Sequence, residues 1–222
     1  MVKICIFSPF PHTESALMDI AEREGIFECF GDGERDRINK ISNPIGKALS
    51  LGGLCALGRA VNELGFSDGD IYIVRDKFGK PRFAGGSPYF SIAHGGDLSV
   101  AAVSRSGVLG VDIERIDQSR DTRRIASKFF SAAEQEQLAE AVDKVREFYR
   151  IWTAKEAMMK QGGEGMISIM SSDSALAAAR GERCFKSYGI SFAGEEYILT
   201  VCTYCDENIE TLVCDALSIS KL

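Results

Sequence analysis

The sequence predicts an α+β fold built from two similar lobes. Apolar runs of strand type and helical periods occur in both halves of the chain. No stretch rich in Pro, Gly or Ser divides the halves, so the lobes are expected to pack closely. The length of 222 residues fits two small units, expected over residues 1–107 and 108–222.

Val2 to Phe7 reads as a short buried strand. Residues 8–40 are mixed, with Gly31-Asp32-Gly33 as a turn. Ser42-Asn43-Pro44 opens a helix, a capping side chain followed by proline in the first turn. That helix runs through Ala48, Leu51, Leu54, Leu57 and Val61, and Gly65 stops it. Ile71 to Val74, Phe90 to Ala93, Leu98 to Ser104 and Val108 to Glu114 read as strands, the last three broken by Gly95-Gly96 and Ser106-Gly107. In the second half, Ser131-Ala-Ala-Glu134 is a capping box opening a helix through Leu138. Phe148 to Lys160 is a stronger helix, ended by Gly162-Gly163. Strand-like runs follow around Phe185 to Phe192, Glu195 to Tyr204 and Leu212 to Leu217.

Lys and Arg number 26 against 32 Asp and Glu, a net charge of −6. This balance argues against a nucleic-acid partner, which selects a basic chain. Apolar residues at 45% and charged residues at 26% match a soluble globular protein. No apolar run approaches the ~18 residues of a membrane span, and the N-terminus lacks the apolar stretch and cleavage site of a signal peptide. The cysteines number seven, and five stand singly among apolar residues as buried thiols suited to a cytoplasmic chain. Cys202 and Cys205 form a C-x-x-C, but a zinc site needs a second pair or nearby histidines, and only His12 and His94 exist.

Four features carry chemistry. In Gly110-Val-Asp-Ile-Glu114, a strand places Asp112 and Glu114 on one face and Val111 and Ile113 on the other. Two such carboxylates repel unless a cation lies between them, and hard oxygen ligands suit Mg²⁺. The alternative is a solvated strand face. In Trp152-Thr-Ala-Lys-Glu-Ala-Met-Met-Lys160, helical spacing aligns Trp152, Glu156 and Lys160, with Lys155 beside them. Glu156 then serves as a third ligand or general base and Lys160 as a phosphate clamp. The alternative is a surface ion pair worth about 0.3–0.5 kcal/mol. In Phe90-Ser-Ile-Ala-His-Gly-Gly96, His94 leaves a strand into a glycine turn that lets a phosphate approach the backbone. Beside it, Phe78-Gly79-Lys80-Pro81 reads as a hairpin-like turn exposing Lys80. The fourth is a stretch from Arg37 to Asn62 without an acidic residue, holding Arg37, Lys40, Lys47 and Arg59. It is a solvated helix face or a patch for a small polyphosphate.

The order G-K-P, F-S-I-A-H, G-V-D-I-E, then W-T-A-K-E-A-M-M-K resembles the 4′-phosphopantetheinyl transferases. The match is to their larger, monomeric class, which activates surfactin synthetase and similar assembly lines. Lys128-Phe-Phe-Ser-Ala-Ala-Glu134 also resembles the family's FFS-x-x-E segment. The motifs cover residues 78–165, and residues 1–77 resemble the family only vaguely. The resemblance implies a pseudo-dimer of two α+β lobes with coenzyme A at their junction. The implied reaction moves 4′-phosphopantetheine from coenzyme A to a serine of an apo acyl or peptidyl carrier protein, releasing adenosine 3′,5′-bisphosphate. By resemblance, Asp112, Glu114 and Glu156 gather Mg²⁺, with Mn²⁺ as a substitute. Glu156 is also the general base, and Lys160 contacts the diphosphate. His94 and Lys80 match positions on the phosphates and nucleotide, and Lys47 matches the family's arginine for the 3′-phosphate. The chain departs from the family in having Ala93 where serine is common and lysine at position 47. Lysine keeps the charge but loses the forked geometry. A non-catalytic binder of coenzyme A or carrier protein, and a Mg²⁺-dependent nucleotide diphosphate hydrolase, are the competing functions. The helix from Ser131 to Val142 is the expected carrier docking region.

Overall fold

A computed structural model describes residues 1–66, 71–77, 79–163, 173–204, 208–213 and 218–221. In chain order the elements are β1 (Val2–Phe7), α1 (Glu14–Arg23), α2 (Ile26–Phe30), α3 (Asp32–Asn39), α4 (Pro44–Glu63), β2 (Ile73–Arg75), β3 (Pro81–Phe83), β4 (Tyr89–Gly95) and β5 (Leu98–Ser104). They continue with β6 (Gly110–Arg115), α5 (Thr122–Phe129), α6 (Ala132–Glu140), α7 (Lys144–Gly162), α8 (Ser174–Ala179), β7 (Cys184–Phe192), β8 (Glu195–Thr203), β9 (Ile209–Val213) and β10 (Ser218–Lys221). Helices and strands are mixed as expected of α+β, and no helix among the described residues is long and apolar enough to cross a membrane.

The chain forms two compact units. The first runs from Met1 to Val108 and takes in β9 from near the C-terminus. Its sheet has the order β4-β5-β1-β9. β1 is flanked by antiparallel β5 and parallel β9, and five of its six residues are buried. A strand covered on both faces reads as a continuous apolar run, which is why Val2–Phe7 was legible. Helix α4 lies over β1, β4 and β5. Asn43 caps it by accepting from the Gly46 amide, Pro44 occupies its first turn, and the Ser99 hydroxyl of β5 donates to the Leu49 carbonyl. Its small residues let Leu51, Leu54, Cys55 and Leu57 sink into a core shared with Phe27, Phe30 and Phe83.

The second unit begins at Leu109 and takes in β10. Its sheet has the order β10-β7-β8-β6, all neighbours antiparallel. Helix α7 crosses β6 and β8. Phe148, Tyr149, Ile151 and Trp152 pack with Phe130 and Ile198 in its core, the rings of Phe130 and Phe148 stacking at 5.3 Å.

Several elements differ from the expectation. Residues 8–40, read as mixed, hold three helices. Two are short, α3 carries mostly polar side chains, and only two residues in each of α1 and α3 are buried, too few to set a period. Gly31, at φ 93°, breaks α2 from α3 rather than making a turn with Gly33. Helix α5 was not anticipated, because its run of basic residues hides a single buried position, Ala126. Helix α7 starts at Lys144, capped by Asp143, rather than at Phe148. Of the expected strand Leu212–Leu217, β9 covers Ile209–Val213 and the remainder lies outside the described residues. β9 comes from the segment expected in the second lobe and pairs in the first.

Candidate functional site

β6 opens with Gly110 because nothing larger fits there. A methyl group on it would lie 1.9 Å from the Ala157 carbonyl oxygen and 2.6 Å from the Gln161 amide nitrogen. The bare backbone thus lets the strand touch α7 on the turn that carries Glu156. Val111 and Ile113 go into the core. Asp112 and Glu114, alternating with them, lie on the other face with Glu156. One oxygen from each of Asp112, Glu114 and Glu156 falls within 4.8 Å of the others.

Three carboxylates this close need compensation. Lys160, one turn beyond Glu156, places Nζ 2.6 Å from Asp112 Oδ1. Arg120, in the loop after β6, places a guanidinium nitrogen 3.7 Å from Glu114 Oε2. Burial pushes the Glu156 carboxyl up to about 7, with repulsion from Asp112 next in weight. Burial also raises Glu114, followed by Asp112, while Arg120 opposes both. The buried indole N–H of Trp152 makes no hydrogen bond of normal geometry, yet it favours the charge on Glu114. Three hard oxygen donors on two rigid elements fit a small divalent cation such as Mg²⁺ or Mn²⁺.

Lys155 is not beside this face as spacing suggested. It is fully buried, and its Nζ donates to Glu134 Oε2 at 2.8 Å. Glu134 also closes the capping box of α6 through the Ser131 amide and accepts from the Ser174 amide and hydroxyl. The lysine of the W-T-A-K-E segment therefore ties α7 to α6 and α8, a structural role.

The remaining expected residues belong to the first unit. His94 is exposed at the end of β4, and Lys80 is half-buried after Gly79 in a turn closed by Asp76. Phe78 lies outside the described residues. Lys47 extends from the first turn of α4 to Glu14, Nζ to Oε1 at 2.8 Å. The acid-free stretch is less basic in space than in sequence. Arg37 pairs with Glu34, Lys47 with Glu14 and Arg59 with Glu24, all from outside it. Arg75, held by buried Glu34, donates to the Gly79 carbonyl and so braces the turn that carries Lys80. Cys202 is buried on β8 beside Gln161, burial pushes its thiol up to about 12, and Cys205 lies outside the described residues. Sequence reasoning missed Arg120, which sits in no motif.

A family model described as the 4′-phosphopantetheinyl transferase superfamily matches residues 108–202. The 4′-phosphopantetheinyl transferase AcpT of Salmonella typhi is 36% identical over 136 residues, 60% of this chain and 68% of that protein. HetI of Nostoc, also named a 4′-phosphopantetheinyl transferase, is 28% identical over 175 residues, 76% of this chain and 71% of that protein. The 4′-phosphopantetheinyl transferase of Bacillus subtilis is 32% identical over 174 residues, 70% of this chain and 75% of that protein.

Proposed function

Because this chain belongs to the 4′-phosphopantetheinyl transferase superfamily, we propose that its carboxylate cluster is the centre at which coenzyme A is opened. The chain transfers 4′-phosphopantetheine from coenzyme A to the serine of an apo carrier protein. The observation that carries the assignment of the centre is the convergence of Asp112, Glu114 and Glu156 within 4.8 Å.

The carrier serine oxygen attacks the β-phosphorus, the bond from that phosphorus to the bridging oxygen breaks, and adenosine 3′,5′-bisphosphate leaves. Asp112, Glu114 and Glu156 would hold a divalent ion, Mg²⁺ or Mn²⁺, which would supply positive charge to the diphosphate. Glu156 takes the serine proton, directly or through water. Lys160, now on Asp112, lies where its ammonium also serves a diphosphate oxygen. Lys47, Lys80 and His94 bind the phosphates and nucleotide of coenzyme A. Lys47 exchanges Glu14 for the 3′-phosphate when it does so. We place coenzyme A at the junction of the two units, and the protein in the cytoplasm as a monomer. The carrier docks along α6. A groove beside that helix, floored by Leu138 and Ala139 and edged by Arg123 and Lys144, offers charge and apolar surface to an acidic helix.

The test is to incubate the protein with apo carrier, coenzyme A and Mg²⁺ and to weigh the carrier. The transferase adds one phosphopantetheine group, about 340 Da, by the phosphoryl transfer described. Coenzyme A bound without mass gain favours a binding protein. Cleaved coenzyme A without mass gain favours a diphosphate hydrolase using the same carboxylates.

A further inference from the structure

We propose that Arg120 is a positioning residue for the carboxylate cluster, its guanidinium resting on the rings of Trp152 and Tyr149 and holding Glu114 turned towards the divalent-ion site. The inference rests on the reading of Asp112, Glu114 and Glu156 as ligands of that ion.

Arg120 stands in the loop between β6 and α5, and that loop is fixed along its length. The Ile116 amide donates to the Glu196 carbonyl at 2.8 Å. The Asp117 amide donates to the Tyr149 hydroxyl at 3.0 Å. The Asp117 carboxylate accepts from the amide and the hydroxyl of Ser119 at 2.9 and 2.6 Å. The Thr122 amide donates to the Arg120 carbonyl at 2.7 Å. The backbone at Arg120 is therefore ordered before its side chain makes any contact, and little further entropy is lost in aiming it.

The guanidinium carbon lies 5.8 Å from the Trp152 ring centroid and 5.9 Å from that of Tyr149, within the ~6 Å range of cation–π attraction. From that shelf its nitrogen reaches to 3.7 Å from Glu114 Oε2. Arg120 thus holds Glu114 from outside the cluster. A Glu114 rotated away from Asp112 and Glu156 cannot share a cation with them. Lysine does not replace this arrangement. A point charge on a flexible stem cannot lie flat on two rings and face a carboxylate at once.

Groups that orient metal ligands from outside the first shell are worth about 10- to 100-fold in metal affinity. Trp152 is the single tryptophan of the chain, so its fluorescence reports on the cluster directly. The full-length protein is titrated with paramagnetic Mn²⁺ alone, following Trp152 quenching and its reversal by Mg²⁺. In parallel, the Mg²⁺ dependence of carrier modification is measured. Arg120→Ala is expected to raise the Mn²⁺ midpoint and the half-saturating Mg²⁺ together, by about 10- to 100-fold. Turnover at saturating Mg²⁺ should stay close to wild type, since Arg120 touches no reacting atom. Arg120→Lys, which keeps the charge, should recover only part of the midpoint, and serves if the alanine variant melts. Arg124→Ala, on exposed α5, should leave both midpoints unchanged. Wild-type Mn²⁺ midpoints in both Arg120 variants overturn the inference. A higher KM for carrier with unchanged metal midpoints overturns it too, and assigns Arg120 to docking. A wild-type protein whose Trp152 ignores Mn²⁺ overturns the metal reading, and this inference with it.

Discussion

Replacing Gly110 with alanine inserts a methyl group between β6 and α7, where the two backbones touch. The new carbon would meet the Ala157 oxygen at 1.9 Å and the Gln161 nitrogen at 2.6 Å. Van der Waals clearance is about 3.5 Å, so strand and helix must part by roughly 1.5 Å. Both obstacles are backbone atoms and cannot rotate aside. The strand carries Asp112 and Glu114 and the helix carries Glu156, so the separation opens the 4.8 Å cluster itself. Displacements of about 1 Å in a catalytic constellation cost of the order of 100-fold in rate. Overpacking costs about 1–3 kcal/mol of stability. We expect Gly110→Ala to lose about 100-fold or more in turnover, followed by carrier mass. Its melting temperature should fall by an amount matching that destabilisation. Gly107→Ala is the control, since a methyl there has nothing within 4 Å. A Gly110→Ala enzyme with wild-type turnover and melting temperature refutes the close approach of β6 and α7 as the basis of the site.

Three further outcomes follow from the same geometry. The Glu156 carboxyl is raised from 4.5 to about 7, so the folded metal-free protein holds a proton that the unfolded chain has released. Its stabilising contribution is complete below about pH 4.5 and is lost as pH rises through about 7. Melting of metal-free protein should therefore show a downward component across that window that Glu156→Gln removes, and an unchanged profile sinks the assignment. Lys47→Ala should weaken coenzyme A by about 10- to 100-fold, the value of a charge-assisted hydrogen bond. Dephospho-coenzyme A should bind the variant and the wild type alike, and an equal loss for both ligands moves the 3′-phosphate elsewhere. Lys155→Met strands the buried Glu134 carboxylate, a change of about 3–5 kcal/mol for a broken buried pair. Hydrogen bonds from Ser131 and Ser174 hold the urea shift near the lower end, and a shift under about 1 kcal/mol contradicts the pairing.

What could be read from sequence was what repeats or caps. Val2–Phe7, α4 and the Ser131 capping box were legible because burial on both faces, Asn43-Pro44 and the Ser131–Glu134 exchange leave local signatures. The carboxylate cluster was legible because strand alternation fixes Asp112 with Glu114 and helical spacing fixes Glu156 with Lys160. What period cannot show is which charge each group meets across elements. Lys160 goes to Asp112 rather than pairing with Glu156 as a surface pair, and Lys155 turns inward to Glu134, 21 positions away. The basic stretch from Arg37 to Asn62 reads as a patch only until Glu34, Glu14 and Glu24 pair with Arg37, Lys47 and Arg59. Arg120 had no local signal, since its meaning lies in two rings some 30 positions on. Helices α1, α3 and α5 were missed because they bury too few side chains to set a visible period, and α2 because five residues are too short to show one.

The most direct test of the account is Glu156→Gln, which keeps the shape of the side chain and removes its charge and its basicity. The variant and the wild type are given saturating coenzyme A, Mg²⁺ and apo carrier, and carrier mass is followed while coenzyme A affinity is measured separately. The account predicts that coenzyme A still binds and that the gain of about 340 Da disappears. A variant that modifies the carrier at the wild-type rate contradicts it.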